Sequence, residues 1–282
     1  MRLVHLGNAV IDLVLTVDRL PERGGDVLAG STQRATGGGF NVMAAAGRLG
    51  LETVYGGVLG TGPFADQARE DLRREGIAFP QPQHPGMDTG FVVALVDGEG
   101  ERTFVTSPGA EATLSAVPET TADDLVYVSG YSLLHAANRA TLVERLPQIV
   151  GAVFFDPGPL VGEIPAGALE VALDRADWVS CNAREAEVLR ERRSRNLIVR
   201  LGPDGCLVNG QPVAGFPVDA VDLNGAGDAH AGAFLAGLAN GSTPLEAARQ
   251  ANAAAALAVT RRGPATGPTR GELDAYLASR PT

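Results

Sequence analysis

Asp222-Leu223-Asn224-Gly225-Ala226-Gly227-Asp228 runs straight into an apolar helical pattern that begins near Ala229. The tiny side chains of Gly225, Ala226 and Gly227 let a ligand approach the backbone closely. The start of a helix offers unpaired N–H groups and a partial positive charge, which together make an anion site. Asp228 sets a carboxylate beside that site. Such a pair suits phosphoryl transfer: the carboxylate accepts a hydroxyl proton while the N–H groups hold the developing charge. A plain glycine turn with a capping aspartate uses the same residues, and spacing alone leaves the two readings even.

Two further constellations carry candidate chemistry. Gly37-Gly38-Gly39-Phe40-Asn41 opens another helix, and Asn41 is placed to reach back to a bound polyol. Asp12 follows the first strand, near the kind of strand end where an α/β sheet collects ligand groups. Asn182-Ala183-Arg184-Glu185 follows an apolar strand and reads as an N-cap with its capping-box partner. An amide and a carboxylate are also suitable hard ligands for Mg²⁺, directly or through water. A fourth segment, Gly60-Thr61-Gly62-Pro63-Phe64-Ala65, has the loose form of a dinucleotide fingerprint. It lacks the acidic residue that should follow about 20 positions on, and Phe79-Pro80-Gln81-Pro82-Gln83 stands there instead.

The 282-residue chain contains no lysine, so all 23 of its basic residues are arginines. This excludes a P-loop, a protein-kinase site and Schiff-base chemistry, each of which requires a lysine. Any phosphate chemistry must use backbone N–H groups, arginine and a metal ion. A net charge of −10 argues against nucleic acid or an anionic membrane as a partner. Cys181 and Cys206 sit in no metal-binding pattern and read as reduced buried thiols. Met1-Arg2 and the apolar run after them mimic a signal peptide, but His5, Asn8 and Asp12 interrupt the run. The expectation is a buried first strand and a cytoplasmic protein.

These residues must be positioned by an alternating framework. Leu3–Gly7, Ile11–Val17, Thr53–Val58, Phe91–Val96, Arg102–Thr106, Leu125–Ser129, Val153–Asp156, Trp178–Cys181 and Leu197–Leu201 read as strands. Helical patterns occupy 40–49, 64–75, 136–147, 164–175, 183–192, 226–239, 243–260 and 270–279. Strand–helix alternation implies βαβ units and a mostly parallel sheet. The β-rich pieces 14–35 and 87–107 break the rhythm and are expected to form a small separate lid. The main domain is then 1–13, 36–86 and 108–282. The arginine cluster Arg190–Arg195 reads as a solvated loop.

In this order and spacing, the segments resemble the ribokinase-like (PfkB) carbohydrate kinase family, and the likeness spans nearly the whole chain. Asp222–Asp228 with Gly232-Ala233-Phe234 is similar to the family's C-terminal signature. Gly37–Asn41 through Gly50 is similar to its N-terminal one, and Asn182–Glu185 to its Asn-x-x-Glu motif. The resemblance implies a Rossmann-like three-layer α/β/α sandwich with a small β-sheet lid. It implies ATP with Mg²⁺ as donor, Asp228 as base, and Gly225, Ala226 and Gly227 as anion hole. Asp12, Gly38, Gly39 and Asn41 would face the acceptor. Asn182, Arg200, Gly202, Gly205, Asn252 and Gly263 would face the nucleotide, with Glu185 meeting Mg²⁺ through water. Asp222, Asn224, Ala258, Gly263 and Gly267 fall where many relatives hold a monovalent cation such as K⁺.

The departures from the family are equally specific. Leu223 replaces a small or hydroxyl residue, Met43 a small one and His230 a common Phe. Gly38 stands where ribokinase-type sequences often carry Lys, which implies that the acceptor is not held as ribose is. No basic cluster marks a phosphate pocket on the lid. The expected acceptor is therefore a neutral sugar or a nucleoside, with Thr89, Gly90 and Tyr131 as further candidate contacts. A homodimer through the lid is the expected assembly. A non-catalytic sugar or nucleotide sensor on the same frame is the competing expectation, and the intact Asp228 speaks against it.

Overall fold

A computed structural model describes residues 1–192 and 194–280. Arg193, within the arginine cluster, lies outside the described residues. In chain order the strands are β1 (Arg2–Leu6), β2 (Ala9–Thr16), β3 (Ser31–Gly38), β4 (Glu52–Tyr55), β5 (Phe91–Val96) and β6 (Arg102–Ser107). They continue as β7 (Leu125–Ser129), β8 (Ala152–Asp156), β9 (Trp178–Asn182), β10 (Leu197–Arg200), β11 (Gly205–Val208) and β12 (Gln211–Ala214). The helices are α1 (Gly39–Arg48), α2 (Pro63–Arg74), α3 (Gly130–Leu134), α4 (Ala136–Arg145), α5 (Ala166–Arg175), α6 (Ala183–Leu189), α7 (Ala226–Ala239), α8 (Pro244–Val259) and α9 (Arg270–Ala278).

The main sheet has the order β12-β11-β10-β9-β8-β7-β1-β4. Every pairing from β10 to β4 is parallel, and the β11–β12 hairpin adds an antiparallel edge. The apolar runs of β1, β7 and β8 are buried on both sides, as a parallel sheet between two helical layers requires. Successive side chains supply opposite faces. Val128, Phe155 and Val179 pack with Leu133, Leu142, Leu169 and Leu189 on one side. Tyr127, Phe154 and Ile198 pack with Val42, Phe234, Ala251 and Leu273 on the other. The result is a three-layer α/β/α sandwich. Helix α7 is buried on all sides from Ala229 to Gly237, so small residues all round replace an amphipathic stripe. Among the described residues, no helix is long and apolar enough to cross a membrane.

A second sheet has the order β3-β2-β5-β6. Its strands run past the limits 14–35 read from the sequence. Strand β2 begins at Ala9, and β3 continues to Gly38, which pairs with Ala9. Gly37 and Gly38 are therefore ladder residues of β3, Gly38 turning into the helix at φ 62°, and only Gly39 belongs to the helix. Asp12 lies in the middle of β2, opposite Ala35 and Val92, rather than at the end of a main-sheet strand. The small sheet itself carries this carboxylate.

Candidate active site

Four neighbouring parallel strands deliver polar groups from their carboxyl ends, where open α/β sheets bind ligands. Strand β7 ends in Ser129, β8 in Asp156, β9 in Asn182 and β10 in Arg200, with Ser129 paired to Asp156 and Asn182 paired to Arg200. Asn182 and Glu185 form a reciprocal capping box at the start of α6. Asn182 Oδ1 accepts from the Glu185 N–H at 2.8 Å, and Glu185 Oε2 accepts from the Asn182 N–H at 2.8 Å. Arg200 Nη1 donates to Asp156 Oδ2 at 2.8 Å and to Ser180 Oγ at 2.6 Å. Its Nη2 lies 3.5 Å from Glu185 Oε2. The surrounding carboxylates hold the guanidinium charged despite its burial and raise its pKa.

The first turn of α7 stands across from these strand ends. Gly225 is its N-cap at φ 76°, in the left-handed region that favours glycine. The Ala226 N–H makes one long bond to the Leu223 carbonyl at 3.4 Å. Among the described residues, no protein acceptor meets the Gly227 or Asp228 N–H. Asn41 Nδ2, from the first turn of α1, donates to Asp228 Oδ2 at 2.9 Å. Burial pushes the Asp228 carboxyl up to about 6, the Asn41 bond pulls it back, and the charge of Asp156 adds to the rise. Burial, with the charge of Asp228, pushes Asp12 up to about 7.

Asp12, Gly38, Gly39, Asn41, Glu185, Arg200, Asn224, Gly227 and Asp228 line one cavity of about 410 Å³, a size suited to a small ligand. Residues to which sequence reasoning gave no role complete the wall. His5 on β1 accepts the Gly7 N–H at Nδ1 (3.0 Å) and stacks on Tyr127 at 4.6 Å. Burial pushes it down to about 3, so it is neutral. Its proton sits on Nε2, which has no partner among the described residues. Asp156 was legible by the same strand-end rule applied to Asp12, because it closes the run Val153–Asp156. Tyr131 joins the wall, whereas Thr89 and Gly90 do not. Thr89 Oγ1 accepts the Gly60 N–H, and Gly90 donates to Glu111.

Other expected site residues stand apart from this cavity. Gly202 and Gly205 shape the turn between β10 and β11. Asn252 on α8 spends its amide on the Val213 and Ala214 carbonyls at 3.0 and 3.1 Å, pinning the edge hairpin. Asp222 Oδ1 accepts from the Asn224 N–H at 2.8 Å and from Arg102 of β6, and its Oδ2 accepts from the Gly263 N–H at 3.0 Å. The Ala258 carbonyl accepts from Thr266 Oγ1 at 3.0 Å, and the Gly267 carbonyl from Arg48 Nη1 at 3.0 Å. Leu223 is 65% exposed, so this position tolerates a large side chain. Met43 fills core beneath the small sheet, and His230 is buried within α7. The Gly60–Ala65 loop binds no dinucleotide phosphate, because Asp88 already accepts the Phe64 and Ala65 N–H groups at 3.1 and 2.8 Å. A larger groove of about 840 Å³ lies outside, between β3, α2 and residues 262–265. Its Arg48–Glu75 and Arg74–Asp71 pairs neutralise one another.

The family model described as pfkB family carbohydrate kinase matches residues 1–270. The chain belongs to the pfkB family of carbohydrate kinases. This pfkB-family kinase is 34% identical to the protein named uncharacterized sugar kinase YegV of Escherichia coli (strain K12), over 95% of this chain and 91% of that one. It is 32% identical to the ATP-dependent ribose-1-phosphate kinase of Halopiger xanaduensis, over 99% of both chains. The crystal structure of ribokinase from Thermotoga maritima superposes with a TM-score of 0.81 at 27% identity, covering 99% of each chain. The kinase therefore phosphorylates a sugar-like molecule, and ATP use is expected of its family.

Proposed function

We propose that this pfkB-family kinase transfers the terminal phosphoryl group of ATP to a hydroxyl of a neutral sugar or nucleoside. Asp228 is the base, and Gly225, Ala226 and Gly227 form the anion hole. The carrying observation is the half-buried Asp228 carboxylate, held by Asn41 on the cavity wall beside N–H groups that no acceptor meets among the described residues. A pKa pushed up to about 6 leaves it ionised at neutral pH yet basic enough to take a proton.

ATP lies along the strand ends, past Asn182 and Arg200 toward Gly202, Gly205, Gly263 and the α8 side near Asn252. Arg200 supplies the fixed cation that a lysine-free chain needs. Glu185 already accepts Asn182 donors at both oxygens; it would hold Mg²⁺ through water, and the oxygen donors of this wall suit that ion. Held there, Mg²⁺ would offset charge on the phosphates. The small sheet acts as a lid that excludes water from the transfer.

The charge balance supports a neutral acceptor. Asp12, Asp156, Glu185 and Asp228 line the cavity, and its single arginine, Arg200, is already paired. A phosphate on the acceptor would meet net negative charge. Phe104 reaches the cavity from β6 at 55% exposure and offers a flat face to a base; this favours a nucleoside as the second reading. The alternate face of the small sheet carries Leu13, Leu15, Val93, Leu95 and the exposed Val105. That apolar face fits a homodimer through the lid, which light scattering on the eluted protein would test.

The deciding experiment is a coupled ADP-release screen over sugars and nucleosides, with Asp228→Asn as control. The substitution should cost about 10²–10⁴ in rate, the range for a general base. Near-full activity in that variant would remove Asp228 from the role.

A further inference from the structure

Three of the five groups expected around a monovalent cation, Asp222, Ala258 and Gly267, are already engaged by hydrogen-bond donors of this chain. Asp222 faces three donors: the Arg102 guanidinium, the Asn224 N–H and the Gly263 N–H. The Ala258 and Gly267 carbonyls already accept from Thr266 and Arg48. An ion entering here would lie beside a guanidinium and would compete with it for one carboxylate oxygen. Arg102 and Asp222 are 22% and 18% exposed, so solvent screens the pair only in part.

We propose that Arg102 is the resident cation of the Asp222–Asp228 turn and that the kinase therefore works without a monovalent metal ion. Arg102 sits on β6, the strand that also carries Phe104 over the cavity. The small sheet thus brings the charge with it. When the sheet is seated, Asp222 is neutralised and the turn is held at Asn224, one residue before the anion hole. The inference rests on reading that turn as the transfer site.

The test compares potassium chloride with tetramethylammonium chloride at equal ionic strength. Wild-type kcat should agree within about twofold, and activation by K⁺ of about fivefold or more, an ordinary coupling between two sites, would overturn the proposal. Arg102→Gln should lower kcat by about tenfold, less than loss of a donor touching the phosphoryl group, and K⁺ should restore part of it. Arg102→Lys, which keeps the charge, should stay near wild type without K⁺. If Arg102→Gln matches wild type, or if K⁺ does nothing for a folded Arg102→Gln, the proposal fails. Melting temperature gives a readout independent of turnover: K⁺ should stabilise Arg102→Gln and leave wild type unchanged. If no acceptor in the screen is phosphorylated, the transfer reading fails while the melting comparison still judges the cation site.

Discussion

Asn41 Nδ2 donates to Asp228 Oδ2 at 2.9 Å and so joins the first turns of α1 and α7, 187 positions apart in the chain. The bond stabilises the ionised carboxylate against its burial. Asn41 Oδ1 has no partner among the described residues and is placed to accept a substrate hydroxyl.

Asn41→Ala should therefore move the acid limb of kcat/KM to higher pH. Asp228 titrates near 6 with the bond in place, and removing a donor to its charged form raises that value. The acceptor KM should rise as well. A pH profile at saturating MgATP measures both, and a limb that stayed put or moved down would rule out this coupling.

Asp156→Asn should move the same limb the opposite way. The negative charge of Asp156 raises the Asp228 pKa, whereas Arg200 lowers it. Neutralising Asp156 removes the first influence and leaves the second without its ion-pair partner. Opposite shifts from two substitutions cannot arise from general loosening of the site. Parallel shifts would show that these charges do not set the base.

Asp12→Asn should stabilise the fold, and more so at pH 8 than at pH 5. Burial raises Asp12 to about 7, from roughly 4 in the unfolded chain. The folded state thus holds this proton more tightly, and the resulting stability is lost as pH rises through 4 to 7. Asparagine escapes that loss. Melting temperatures at the two pH values decide it, and an equal change at both would show that Asp12 ionisation costs the fold nothing.

The main sheet was legible because its strands alternate with helices and its apolar runs are buried on both faces. The turn at Asp222–Asp228 was legible because small residues, a helix start and a carboxylate coincide there. The small sheet's true limits were not, because Gly37 and Gly38 are poor strand formers that nevertheless pair with β2. Strands β11 and β12 were missed because Gly202, Pro203, Gly205, Gly210 and Pro212 read as turn. His5 read only as a polar break in the N-terminal apolar run and was given no site role, since its contacts with Tyr127 and Gly39 come from distant segments. Asn252 has a structural contact that its motif position did not foretell. Its position matched a nucleotide wall, and its amide also holds two carbonyls of the edge hairpin.

His5 also explains why Gly39 opens α1. A Cβ at Gly39 would lie 2.0 Å from His5 Cε1, 2.5 Å from Nε2 and 2.8 Å from the Asn8 carbonyl. The stacked imidazole cannot turn away without leaving Tyr127 and its bond from the Gly7 N–H. Gly39→Ala should therefore cost about 1–3 kcal/mol, the usual range for overpacking a closed interior. His5→Ala empties the space and carries its own cost. Because the added methyl group then loses its two nearest clashes and keeps the one with the Asn8 carbonyl, the double variant should be less destabilised than the sum of the two, by about 0.5–3 kcal/mol. Urea unfolding of the four proteins measures this coupling. Simple additivity would mean that the imidazole does not require glycine at this position.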